Sequence, residues 1–504
     1  MSQGVLPFKY EEEPKTSGMT ALGGLPVYLD LAAAMGLGAS IEKHLQIKRR
    51  GWTDKQIVLS LILLNLCGGD CVEDLSRLSC DEGLSRILRR LDQQGMTRRE
   101  RRLRDRLQRK QAQRALPSPS AVFRYLSAFH DPQQDKARIK GKSFIGLGNK
   151  ALQGLKAIHR DMLAFIQARH PEKSATLDMD ATLVETSKRD ALYSYQGYKA
   201  YQPHNVWWAE QKLVSYTEFR DGNVPAGYEQ LRVLQEALEA LPAGVKDVRL
   251  RSDTAGYQHK LMRWCEQGKS ERFGRIAFAI GCDITPEFKQ AVKELDEKDW
   301  QPLYKYIDDQ RIDTNQQWAE LCFLPSEIAS SKKGPRYRYL AIREAMQAEL
   351  PELQLAEPIL PFPTLQIDCQ RYKLFGLVTN MDGEGEGLIR WHRQRCGKSE
   401  EAHAVMKEDF AGGKLPSDSF GANAAWWWIM ILAMNLNSAL KQLVLEASWA
   451  NKRMKALRFS LINLAGHIIE RSREMIIRLA NNGFAMQLIA IRRQIKALSM
   501  APSG

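Results

Sequence analysis

A chain of 504 residues exceeds the roughly 100–200 residues of one typical domain, so two or three units are expected. Its net charge of +14 favours a polyanionic partner, because a positive field attracts phosphates and displaces their counterions; ribosome-associated and lipid-surface proteins are equally basic, so charge alone does not choose. The 8 cysteines are scattered, and Cys67, Cys71 and Cys80 lack the Cys-x-x-Cys spacing of a structural zinc site, which leaves reduced thiols as the plain reading. The apolar runs 57–67 and 424–434 fall short of the roughly 18 residues of a membrane span, and residues 1–14 lack the basic-then-apolar order of a secretory signal. The expectation is a cytoplasmic protein without a membrane partner, which in a bacterium means one associated with the nucleoid when active.

From residue 21 to 91 apolar residues recur at helical spacing, as in Ile57, Leu61 and Leu64 behind the capping pair Thr53-Asp54. Residues 97–114 follow, where Arg98, Arg99, Arg101, Arg102, Arg104, Arg106, Arg109, Lys110 and Arg114 face only Glu100 and Asp105. Such a run repels itself unless something anionic neutralises it, so it reads either as a solvated helix or as a phosphate-tracking segment. Pro117-Ser118-Pro119-Ser120 then opens a short helix bearing Arg124 and Tyr125, which fits a helix-turn-helix-like DNA reader and ordinary packing equally well.

The character changes at Ser174. Residues 175–180, 205–209 and 213–219 read as strands, 228–241 as a helix with Leu231, Leu234, Leu238 and Leu241 on one stripe, and 248–252 as a strand stopping at Asp253. A helix after Gly256 and a strand over 275–280 complete the order strand, strand, strand, helix, strand, helix, strand, which points to an α/β core with a mixed sheet. The rhythm breaks over 285–370, read as an insertion containing Trp300, Trp318 and a strand-like stretch at 336–342. It returns at 374–380, and the glycine- and acid-rich 382–387 leads to a helix starting near Ser399. An apolar segment at 426–434 and an amphipathic region at 457–479 close the chain.

Asp180 and Asp253 end predicted core strands, where side chains project into the crevice that binds ligands. Neighbouring carboxylates repel and raise one another's pKa unless a cation lies between them, and a hard divalent ion with oxygen ligands, most naturally magnesium, resolves the conflict. Two such ions activate water or a 3′-hydroxyl on one side of a phosphodiester and stabilise the leaving oxygen on the other. Glu400 is the third acid, because Lys407, seven residues on, returns to its helix face and can hold a neighbouring phosphate; Glu401 is the close rival. Asp178, on the same strand face as Asp180 but deeper, reads as structural. His204, His259, Cys396 and the tryptophans Trp207, Trp208 and Trp426 to Trp428 have structural readings that outweigh catalytic ones.

Leu177-Asp178-Met179-Asp180-Ala181-Thr182, Arg251-Ser252-Asp253-Thr254-Ala255-Gly256 and residues 395–407 resemble a DDE transposase of a bacterial insertion sequence, in the group with a β-rich insertion and a Tyr-x2-Arg-x3-Glu-x6-Lys signature. The resemblance covers about 174–440. It implies an RNase H-like α/β core with a mixed sheet, split by an insertion into 174–284 and 371–440, between a helical, DNA-binding 1–150 and a helical 441–504. It further implies strand cleavage and strand transfer at the element's ends by Asp180, Asp253 and Glu400 as catalytic and metal-binding residues. Two Mg2+ ions, for which Mn2+ can substitute, would be the cofactor; terminal inverted repeats and target duplex would be the partners of a homodimer on DNA. Arg395 and Lys407 are the expected phosphate contacts, with Arg98, Arg99, Arg102, Arg106 and Arg124 as further DNA-binding residues. The match is partial at the third motif: Arg395 lies one residue too far upstream, and His392, beside Trp391, holds the tyrosine position. Related enzymes stack a tryptophan of the insertion on a flipped base; packing is the expectation for Trp300 and Trp318. A catalytically inactive DNA-binding descendant and a structural or RNA-binding basic protein are the alternatives.

Overall fold

The computed structural model describes residues 18–94, 96–97, 99–103, 106, 114–307, 310–325, 337–346, 362–471, 474–480 and 483–500. Strand β1 (Met19–Thr20) precedes helices α1 (Pro26–Ala34), α2 (Leu37–His44), α3 (Asp54–Cys67), α4 (Leu75–Cys80), α5 (Glu82–Asp92), α6 (Pro119–Leu126) and α7 (Lys150–Arg169). Local chemistry sets their starts. The Thr53 hydroxyl accepts from the Gln56 N–H while the Gln56 side chain accepts from the Thr53 N–H, a reciprocal cap that satisfies two donors at the start of α3. Ser118 caps α6, with Pro119 in the first turn where its missing N–H costs nothing. Residues 150–169, to which the sequence reading assigns no element, form α7, capped by Asn149 and burying Leu155, Ile158, Met162 and Ile166 at helical spacing. Of the basic run, Arg98, Arg104, Arg109 and Lys110 lie outside the described residues, whereas Arg99, Arg102, Arg106 and, beyond it, Arg124 are exposed.

The central strands are β2 (Ser174–Ala181), β3 (Val184–Glu185), β4 (Leu192–Tyr193), β5 (Lys199–Tyr201), β6 (His204–Trp208), β7 (Leu213–Glu218), β8 (Asp247–Ser252) and β9 (Ala277–Gly281), with α8 (Gln230–Ala240) before β8 and α9 (His259–Glu266) after it. The order β7-β6-β2-β8-β9, antiparallel from β7 to β2 and parallel from β2 to β9, is the expected RNase H-like arrangement with a mixed sheet. The small sheet β3-β5-β4 comes directly after β2.

Past β9 come α10 (Pro286–Lys293), β10 (Gln301–Ile307), β11 (Gln310–Leu321), β12 (Arg338–Ala345), β13 (Thr364–Ile367) and β14 (Gln370–Thr379). The 285–370 segment is not a separate layer. β14 pairs with β9, Val378 opposite Ile280, and β12, β11 and β10 continue outward, so that one 10-stranded sheet runs through core and segment alike. Arg336, at the start of the strand-like stretch, lies outside the described residues.

Three helices follow: α11 (Gly385–Arg393), α12 (Lys398–Ala404) and α13 (Phe420–Leu443). Nearly all of α13 is buried, and its polar atoms are used. Asn435 accepts from the Val214 N–H and donates to the Val214 carbonyl, and the Trp427 indole donates to Thr217 Oγ1, both on β7. An all-round apolar helix of this kind is a core element, and among the described residues no single helix is long and apolar enough to cross a membrane.

The helical expectation for 441–504 requires correction. Residues Gly466–Glu470 (β15) and Met475–Leu479 (β16) form a hairpin that takes β1 as its third strand, and only Phe484–Met500 (α14) is a long helix there. The isoleucines Ile468, Ile469, Ile476 and Ile477 are β-branched and pair across the hairpin, a preference that outweighs the helical reading of their arginine neighbours. The same pairing places a strand, β1, inside the region expected to be wholly helical.

Candidate active site

The parallel register of β2 and β8 sets the geometry. Asp178 lies opposite Arg251 and Met179 opposite Ser252, so the next residues, Asp180 and Asp253, emerge side by side where the two strands end. Alternation places Asp178 and Asp180 on one face. The deeper Asp178 receives a two-pronged ion pair from Arg251, Nε to Oδ1 at 2.6 Å and Nη2 to Oδ2 at 2.8 Å, with both side chains only 3% exposed. It is therefore engaged in holding the sheet. Arg251 also donates to the Trp391 carbonyl at 2.7 Å and to Gln394 Oε1 at 3.4 Å, which ties the end of α11 to the strand carrying the second acid.

Two further contacts dock α11. His392 Nε2 lies 2.9 Å from the Ser252 carbonyl, one residue before Asp253, and burial pushes its imidazole pKa down to about 4. At the other end Gly385 lies against the Trp318 ring, where a Cβ would come within 2.1 Å of Cζ3, so no larger residue fits. Trp318 is 6% exposed; Trp300, 7% exposed, lies under the Arg343 guanidinium at 4.1 Å. Both tryptophans are packing residues, and Trp318 helps to fix the helix that leads into the site.

Beyond α11 the chain turns. Arg395 Nη2 lies 3.4 Å from Asp180 Oδ2 with the arginine side chain 9% exposed, while Asp180 Oδ1 accepts from the Ala181 N–H at 2.9 Å. Glu400, in the first turn of α12, accepts from the Gly397 N–H at 2.7 Å, and Asp253 accepts from the Ala255 N–H at 3.1 Å. Burial raises the Asp180 carboxyl to about 6; Asp253 and Glu400 add to the rise, and Arg395 and the Ala181 N–H oppose it. Asp253 and Glu400 thus both lie close enough to act on Asp180. Glu401 points its influence elsewhere, raising the proton affinity of Lys441 on α13 against the burial that lowers it.

Lys407 does not continue α12 as a regular helix would carry it: a π turn over Val405–Asp409 intervenes and changes the rotation of the chain there. Lys407 still lies close enough to His403 to disfavour its protonation, after burial the larger cause of a pKa near 4. His204, 1% exposed, stands opposite Ala181 on β6, and burial drives its pKa well down. His259 begins α9, and Cys396 is exposed in the α11–α12 turn. The exposed Arg99, Arg102, Arg106 and Arg124 belong to the helical N-terminal part.

The donor set suits a hard cation, since three carboxylates supply only oxygen. As they lie, Asp180 is held by Arg395 and Glu400 by Gly397, and among the described residues no three His, Cys, Asp or Glu side chains stand close enough to hold a metal ion. Sequence reasoning does not single out Arg251 and Gln394, which brace the strand end that carries Asp253. Its available signal was the matched spacing Asp178-x-Asp180 and Arg251-x-Asp253, which puts an acid and a base at the same depth behind two strand ends.

In comparison with known proteins, the family described as transposase DDE domain group 1 matches residues 15–499. Among solved structures the chain is similar to the cryo-EM structure of piggyBac transposase synaptic complex with hairpin DNA, at 11% identity and a TM-score of 0.41, over 88% of this chain and 80% of that one. No curated protein matches it.

Proposed function

The chain belongs to the transposase DDE domain family, group 1, and from that premise we propose that it cleaves DNA at the ends of a mobile element and joins the freed 3′-hydroxyl to a target phosphodiester. The observation that carries the reading is the meeting of Asp180 and Asp253 at the ends of adjacent parallel strands, with Glu400 close enough to raise the Asp180 pKa. Divalent metal, held by Asp180, Asp253 and Glu400, would supply activation of the attacking oxygen and stabilisation of the leaving one. Magnesium fits the all-oxygen donor set, and manganese would replace it.

The remaining roles fall to the chain itself. Asp178 and Arg251 hold β2 and β8 in register, and His392 fixes the strand end from which Asp253 projects. Arg395 offsets the Asp180 charge, its guanidinium would be free for a phosphate oxygen where Asp180 holds a metal ion, and Lys407 would supply a second cation beyond His403. Exposed Arg99, Arg102, Arg106 and Arg124 would track the duplex backbone. Arg98 belongs with them by sequence. A homodimer would bring two element ends together for joint reaction, and a bacterial host would keep the protein in the cytoplasm at the nucleoid.

Incubation of the purified chain with a duplex carrying the inverted repeats that flank its gene tests the proposal. Magnesium-dependent nicks with 3′-hydroxyl ends at the repeat boundary are expected, abolished by chelator and by Asp180→Asn. A wild-type chain that binds those repeats and never cuts them would instead identify a catalytically inactive DNA-binding descendant.

A further inference from the structure

Asn205 stands directly opposite Asp180 in the antiparallel ladder of β2 and β6. Opposed residues share a face of the sheet, with Cβ atoms about 4.5–5.5 Å apart, so this amide flanks the first acid. It is 3% exposed. The Thr217 hydroxyl, on β7, donates to Asn205 Oδ1 at 2.7 Å, and the Trp427 indole N–H donates to that same Thr217 oxygen at 2.9 Å. An indole nitrogen can only donate. The Thr217 hydrogen is therefore directed at Asn205, the amide oxygen faces Thr217, and the amide nitrogen faces away from it.

That nitrogen, Nδ2, is buried and has no hydrogen-bond partner among the described residues. A buried amide left half-satisfied is costly, and an apolar residue of similar volume would avoid the cost. Asp180, directly opposite on β2, is an acceptor with spare capacity. An ionised carboxylate offers about four lone-pair sites; the Ala181 N–H takes one on Oδ1, and Arg395 approaches Oδ2 at 3.4 Å.

We propose that Asn205 is a positioning residue for Asp180, its side-chain amide oriented through Thr217 and Trp427 to donate a hydrogen bond to the Asp180 carboxylate in the cation-bound state. The inference rests on the metal-dependent reading of the site and extends it to a residue that touches neither metal nor DNA. It also gives α13 a part in the site, because Trp427 begins the chain of donors that ends at Asp180.

The test uses the full-length protein and manganese alone. Binding of Mn2+ is followed by electron paramagnetic resonance for wild type, Asn205→Ala, Thr217→Val and Asp180→Asn, with unfolding midpoints measured in chelator. Asn205→Ala is expected to bind Mn2+ about tenfold more weakly, the usual scale for a hydrogen bond to a charged group; Thr217→Val should weaken binding in the same direction by a smaller factor. A residue with only a packing role would lower the midpoint and leave the affinity alone, which overturns the proposal. Should Asn205→Ala fail to fold, the wild-type protein decides. The side-chain amide resonance of 15N-labelled Asn205 should move on titration with Mg2+ and stay still in Asp180→Asn; a resonance indifferent to Mg2+ that demonstrably binds overturns the inference alone. Absence of any Asp180-dependent binding overturns the metal site and this inference together.

Discussion

Replacing Asp180 by asparagine is expected to make the metal-free protein more stable. The Asp180 carboxyl is raised from 3.8 to about 6, first by burial, then by Asp253 and Glu400, so the native state holds this proton more tightly than the unfolded chain does. Below the unfolded pKa both states are protonated and the residue is neutral to stability. As pH rises through the window from 3.8 to about 6 the native state must give up a proton it prefers to keep, and stability is lost; above that window the deficit is constant. A displacement of this size corresponds to at most about 3 kcal/mol. Asparagine has the shape of the neutral acid and abolishes the deficit. Urea unfolding in chelator should therefore show Asp180→Asn more stable than wild type by up to about 3 kcal/mol at pH 7.5, with the difference closing towards pH 4. Magnesium should narrow the gap by binding wild type alone. A variant less stable than wild type at pH 7.5, by an amount that does not change with pH, would refute the electrostatic account of the site.

The same geometry sets further outcomes. Glu400→Gln should reduce magnesium-dependent cleavage by about a thousandfold, the scale seen when a group acting on the transition state is removed, whereas Glu401→Gln, on the Lys441 side, should stay within a few-fold of wild type in the same assay. Asp178→Asn leaves the Arg251 charge buried and should destabilise the fold by about 3–5 kcal/mol, read from the unfolding midpoint; Asp178→Asn with Arg251→Met should recover much of that loss. Binding of duplex DNA should weaken steeply with salt, and changing Arg99, Arg102, Arg106 and Arg124 to alanine together should flatten the log–log salt slope by about 3–4 if each meets a phosphate.

The parts of this protein legible in its sequence are those where one residue contradicts its surroundings. Asp180 and Asp253 fall at the ends of core strands, where an acid is best tolerated. Thr53 and Ser118 precede helical patterns in the position where only a side-chain oxygen is useful. The five-strand order came from periodicity, since strands and helices of the core alternate without overlap. The features that escaped depend on partners distant in sequence. Arg251 discloses its partner only through the matched spacing Asp178-x-Asp180 and Arg251-x-Asp253, and Asn205 looks like any strand asparagine until the β2–β6 register is known. Helix α11 escaped because its glycine- and acid-rich start reads as a loop, and the packing of Trp318 on Gly385 lies far away in sequence. The hairpin at 466–479 escaped because isoleucines beside arginines fit an amphipathic helix as well as a strand, and only pairing with β1 decides. The 285–370 segment read as an insertion because its rhythm breaks, yet its strands prolong the core sheet through β14.

The central claim, that Asp180, Asp253 and Glu400 hold catalytic metal, is tested most directly by anomalous diffraction from crystals grown with manganese. An anomalous peak between the Asp180 and Asp253 carboxylates, with Glu400 turned from Gly397 toward it and Arg395 displaced from Asp180, is the predicted result. Manganese bound elsewhere, in crystals of a protein whose cleavage depends on it, would contradict the account.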